Sequence, residues 1–173
     1  MDIFERFPLA LFSAYTQVQA QIIANQRNRV LEDLELAFPG ESVYGPSLND
    51  AYGDFWLWAL GAYEVTRTMS EHAHCFSEAY ATRLQLAKKR LAAYRIPFAK
   101  QQLARQKGSN LLSEASIAVI DVEKRDIAFI VGDVRYWVRS EMSAVGDLLS
   151  EVTLTEILYQ IQTPRPAAPG SVA

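Results

Sequence analysis

Arg67, Glu71, His72, His74 and Cys75 crowd into one short stretch of a 173-residue chain that holds two histidines and one cysteine in all. These are side-chain types that can do chemistry. A histidine takes or gives a proton near neutral pH. An arginine offers a fork of donors to a phosphate that is gaining charge. A cysteine beside histidines could act as a nucleophile, although the commoner state of a lone cysteine is a buried, inert thiol. Glu71, His72, His74 and Cys75 also invite a metal reading. Neighbours within one helical turn cannot converge on a tetrahedral centre, so no metal is expected here. Glu32, Asp33 and Glu35 form a second acidic group, but no other carboxylate pair stands ready to complete a site with them. The sequence holds no glycine-rich phosphate loop, no HExxH, no CxxC and no nucleophile elbow.

The stretch that must present these groups begins near Asn49 or Asp50, either of which could cap a helix. Tyr52, Phe55, Trp56, Leu57, Trp58, Leu60, Ala62, Tyr63 and Val65 leave almost no polar face, which predicts a helix buried on several sides. Asp54 and Glu64 interrupt it too often for a membrane span of about 20 apolar residues. Gly53 and Gly61 suggest close approach of another backbone. Gly53, Trp56, Leu60, Tyr63 and Arg67 share one face, so Arg67 is expected to extend an apolar stripe. A guanidinium placed there needs an acceptor, and Glu64 is the nearest candidate.

Four residues separate Arg67 from His72, and six separate it from His74, at the end of this helix. In that motif and in its helix order over about 8–107 the chain resembles the HEPN superfamily of small α-helical domains. The resemblance implies a homodimer that brings two such motifs together. In active members it implies a metal-independent ribonuclease whose arginine and histidine act on the scissile phosphate and the 2′-hydroxyl. The positions that would carry this are Arg67 with His72 or His74. No cofactor is implied.

Charge is segregated along the chain. Residues 83–107 hold Arg83, Lys88, Lys89, Arg90, Arg95, Lys100, Arg105 and Lys107 and no acid, whereas the first eighty residues are rich in acids. Such a block can track a phosphate backbone, or it can dock on the acidic part of its own chain or of a second copy. The single cysteine excludes an intramolecular disulfide and suggests a reducing compartment. No basic n-region opens the chain, so a cytoplasmic location is expected.

Around the central helix the pattern predicts a mainly α fold. A long helix over about 8–37 carries Leu9, Phe12, Tyr15, Val18 and Ile22 as its apolar positions, with a break expected near 25–28 and an amide-rich surface that includes Gln17, Gln19 and Gln21. Pro39-Gly40 ends it, and a loop over 39–48 follows. A further helix is expected over about 73–95, interrupted by Pro97, with a short basic helix ending at Gly108. Then 117–122, 127–131 and 134–138 read as three strands, with Gly132-Asp133 as a hairpin turn. Ser140 is expected to cap a helix, and Thr153 with Glu156 a last one to about 161. Residues 163–173 have the composition of a disordered tail.

The expected architecture is therefore a four- to five-helix bundle with a small three-stranded antiparallel meander at 116–138 and C-terminal helices, all one domain over 1–162. The functional expectation is a dimeric interaction or regulatory module of HEPN-like type. One alternative is the metal-independent ribonuclease at Arg67 and His72 or His74. Another is a non-catalytic nucleic-acid binder that uses Arg83, Lys88, Lys89, Arg90, Arg95 and Lys100. A second copy, RNA and a protein partner are the candidate partners, and a membrane is not.

Overall fold

The computed structural model describes residues 2–100 and 117–161. Within them the fold is mainly α, with six helices and one small antiparallel sheet. The short helices α1 (Ile3–Arg6) and α2 (Leu9–Phe12) lead into the long α3 (Ala14–Ala37) and α4 (Gly45–Glu71). A 3-10 turn, Ala73–Cys75, precedes α5 (Glu78–Lys100). Strands β1 (Val119–Asp121), β2 (Asp126–Val131) and β3 (Val134–Trp137) run directly into α6 (Val138–Ser150), and a 3-10 turn, Leu154–Glu156, follows.

Helices α3, α4 and α5 form the frame. Ile23 of α3 faces Gly61 of α4, where an added Cβ would lie 2.6 Å from its Cδ1, and the Gln26 amide reaches the Asp54 carbonyl. The two helices therefore run antiparallel, with glycine giving Ile23 its space. On the other side of α4, Phe55 stacks on Phe129 of β2 at 5.3 Å, and Phe98 of α5 meets Phe129 edge-on at 4.9 Å. The sheet has the order β1-β2-β3. It pairs Ile120 with Ile127 and Phe129 with Tyr136, and Gly132 takes φ +59° at the hairpin turn. Ile127, Ala128 and Phe129 are buried. A meander this small gains its stability from such packing rather than alone.

Several boundaries differ from the sequence expectation, each for a local reason. The first long helix is split at Ser13, whose extended backbone and hydroxyl cap α3 by accepting from Thr16 N–H. The helix is unbroken through 25–28. Helix α4 starts before Asn49, at Gly45, because Pro46 is preorganised for a first turn. Helix α5 starts at Glu78, since Phe76 is extended and bridges to Ile157, and Ser77 accepts from Tyr80 N–H at its start. Pro97 lies inside α5 instead of ending it.

At the other end, α6 begins at Val138, before Ser140, and Trp137 is its N-cap residue. The buried Asp126 carboxylate accepts from Arg139 N–H in its first turn. The last helix is only the 3-10 turn, because Glu156 accepts from the Ser77 hydroxyl and Leu158 N–H turns to the Cys75 carbonyl. The basic segment after Lys100 and the tail over 163–173 lie outside the described residues.

Candidate functional site

Arg67 lies near the C-terminal end of α4, and its side chain is 38% exposed, not buried in an apolar stripe. Its Nε donates to Glu64 Oε2 at 2.8 Å, and a terminal nitrogen donates to Glu71 at 2.7 Å. These partners stand three residues before and four after it, the spacings at which helix side chains meet. Glu64 also accepts from Arg95 of α5 at 3.2 Å, and the Arg95 guanidinium lies over the Tyr63 ring at 4.8 Å. The two carboxylates raise the Arg67 pKa further, hydrogen bonding to Glu64 most of all. Sequence reasoning found Glu64 and missed Glu71 and Arg95. The helical spacing to Glu71 could have found the first, but nothing local points to the second.

His72 is the C-cap residue of α4. Its Nδ1 lies 2.9 Å from the Thr68 carbonyl, which favours the tautomer with the proton on Nδ1. The ring stands edge-on to Phe12 of α2 at 6.3 Å and 6.2 Å from the His74 ring. His74 Nε2 is 3.5 Å from Cys75 Sγ. Cys75 is fully buried, its thiol donates to the Gln160 carbonyl at 3.4 Å, and burial raises its pKa. A buried thiol of that kind is a poor nucleophile. The two histidines thus gather beside α2 and the C-terminal segment, while Arg67 is drawn along α4 by its carboxylates and shares Glu64 with α5. No group of three metal-ligating side chains occurs among the described residues.

Half of the predicted nucleic-acid track is committed to internal ion pairs. Arg90 binds Glu141 of α6 with two donors, Arg83 pairs with Glu151, and Arg95 pairs with Glu64. Lys88 and Lys89 form no ion pair among the described residues. Lys100 ends α5. The acidic group at the end of α3 is divided as well. Glu35 pairs with Arg125 and Arg139 at the sheet, while Asp33 faces Asn49, Asp50 and Asp54 across a shallow hollow.

One surface was misread from the sequence. Tyr15, Val18 and Ile22 were expected on the core side of the first helix, yet they stand outward at 72%, 56% and 58% exposure. The core side of α3 is built from Thr16, Ala20, Ile23, Val30 and Leu34 instead. On α4, expected to be buried on several sides, Leu57 is 53% exposed. No helix among the described residues is long and apolar enough to cross a membrane. No family model, curated protein or solved structure matches this chain.

Proposed function

We propose that this protein is a homodimeric interaction module that associates through the outer face of α3 and α4. The carrying observation is the row of exposed apolar side chains, Tyr15, Val18 and Ile22 on α3 with Leu57 on α4. Residues 15, 18, 22, 29, 33 and 36 fall on one side of α3 at helical spacing. Leu57 borders the same side, since it shares a hollow with Asp33. Helices of 24 and 27 residues make a layer about 36 Å long and about 20 Å wide. That is the scale of a standard interface of about 800 Å² per partner.

The charges on this face favour a second copy as the occupant. Arg29 is exposed and forms no ion pair among the described residues. Asp33 has a pKa raised by desolvation and then by the fields of Asp54, Asp50 and Glu32, and none of these acids forms an ion pair among the described residues. A two-fold contact repeats both features on each side and can set one Arg29 against the other copy's acids. Dimerisation is also what the HEPN resemblance implies. The test is the association state of the wild type against Ile22→Glu and Leu57→Glu, both at exposed positions that the fold does not need.

The ribonuclease reading asks more of this geometry. Arg67 would have to leave Glu64 and Glu71, whose charge repels an incoming phosphate. The nucleic-acid-binding reading retains Lys88 and Lys89, with Arg83, Arg90 and Arg95 already paired, while the Lys100 side chain lies outside the described residues.

A further inference from the structure

On the flank of α3 away from that dimer face lies a cleft of about 470 Å³, walled by α1, α2, α3, Trp58 of α4 and the end of α6. Its size is that of a small-molecule pocket, about 300–1,000 Å³. Three buried polar atoms of residues that line it have no hydrogen-bond partner among the described residues: Trp58 Nε1, Arg27 Nε and Gln17 Oε1. Trp58 itself is 1% exposed. A buried donor without an acceptor is destabilising, and an acceptor entering the cleft would relieve two of them. The contrast with Trp56 is direct, for its indole N–H donates to the Phe98 carbonyl at 3.0 Å.

Arg27 defines the charge. It forms no ion pair among the described residues, although Asp147 and Glu5 line the same cleft. Glu5 is occupied with the Asp2 backbone N–H, and Arg6 lies over the Phe7 ring at 5.2 Å. The Arg27 side chain runs so close along α6 that a Cβ at Gly146 would sit 3.2 Å from its Nε. Glycine at 146 is therefore what admits the arginine to this position. The remaining wall is apolar, with Leu9, Ile23 and Leu149 among its residues.

We infer that the cleft binds a small monocarboxylate with an apolar body, its carboxylate held by Arg27 and Trp58. The guanidinium supplies charge-assisted donors, Trp58 adds a neutral one, and the apolar wall takes the hydrocarbon. This site is independent of the dimer face.

The test is titration of the full chain with hexanoate, octanoate and benzoate, read by the indole N–H resonances in NMR, with Trp58→Phe assigning the relevant one. At least one acid should bind saturably, moving the Trp58 resonance and leaving those of Trp56 and Trp137 in place. Arg27→Met should weaken binding by about tenfold or more, and Asp147→Asn should strengthen it. Octanol should bind less well than octanoate. Gly146→Val, which displaces Arg27, should also weaken binding while the melting temperature reports whether the fold is intact. Absence of binding by all three acids would overturn the inference, leaving the orphan donors to solvent. So would binding that Arg27→Met leaves unchanged, or that moves Trp56 or Trp137 instead.

Discussion

Arg90 of α5 grips Glu141 of α6, with Nε 2.8 Å from one carboxylate oxygen and a terminal nitrogen 2.5 Å from the other. The pair is asymmetric: Glu141 is 2% exposed, whereas Arg90 is 54% exposed. The arginine thus covers a carboxylate that could not otherwise be buried. Removing only the arginine strands the charge, so Arg90→Ala should cost about 2 kcal/mol in urea denaturation, below the range for fully buried pairs because solvent reaches this one. Arg90→Met with Glu141→Leu should recover most of that loss. A double variant no more stable than Arg90→Ala would show that the pair does not act as a unit.

Burial holds the Asp126 carboxyl above its ordinary 3.8, even though the Ile127 and Arg139 N–H groups and the Arg139 charge pull it down. A raised folded-state value means that the stability Asp126 contributes is fully present below about 3.8 and is lost as pH rises through the folded-state value. Asp126→Asn does not titrate. Its melting temperature relative to wild type should therefore improve as pH rises from below 3.8 through the raised folded-state value. A difference that stays flat, or worsens, would contradict the account of this carboxyl.

Cys75 is sealed between the turn after α4 and the C-terminal segment that reaches back to it. Iodoacetamide at mildly alkaline pH should label the native chain slowly and the urea-unfolded chain quickly. The burial that raises its pKa also blocks approach. Equal rates in the two states would show that this segment does not cover the thiol.

The Arg67 site separates the functional readings. As an interaction module, the wild type should leave a mixed single-stranded RNA pool intact in excess EDTA. Cleavage that disappears in both Arg67→Ala and His72→Ala/His74→Ala would replace that reading with the ribonuclease one.

Much of this fold was legible because its signals are local. The hairpin at Gly132, the helical period through α4 and α5, and the stop at Pro39-Gly40 all act within a few residues. Failures came where tertiary partners overrule local signals. Pro97 stays helical while packing holds the flanking Tyr94 and Phe98 in the core, and Glu156 is taken by Ser77 from far along the chain. The apolar row at Tyr15, Val18 and Ile22 has the spacing of a core stripe, and no sequence pattern distinguishes that from an outward face. The cleft with Gln17, Arg27 and Trp58 was equally hidden, since its wall is assembled from five separate helices. Arg67 and its histidines were found as residue types, but their hydrogen-bond partners depend on folded geometry.

Sedimentation equilibrium of the wild type, Ile22→Glu and Leu57→Glu across a concentration series reads association through α3 and α4 without an intermediary. The wild type should be dimeric, and the variants shifted strongly to monomer with melting behaviour close to that of the dissociated wild type. A wild type that is monomeric throughout the series, or variants that remain as dimeric as wild type, would contradict an association surface on α3 and α4.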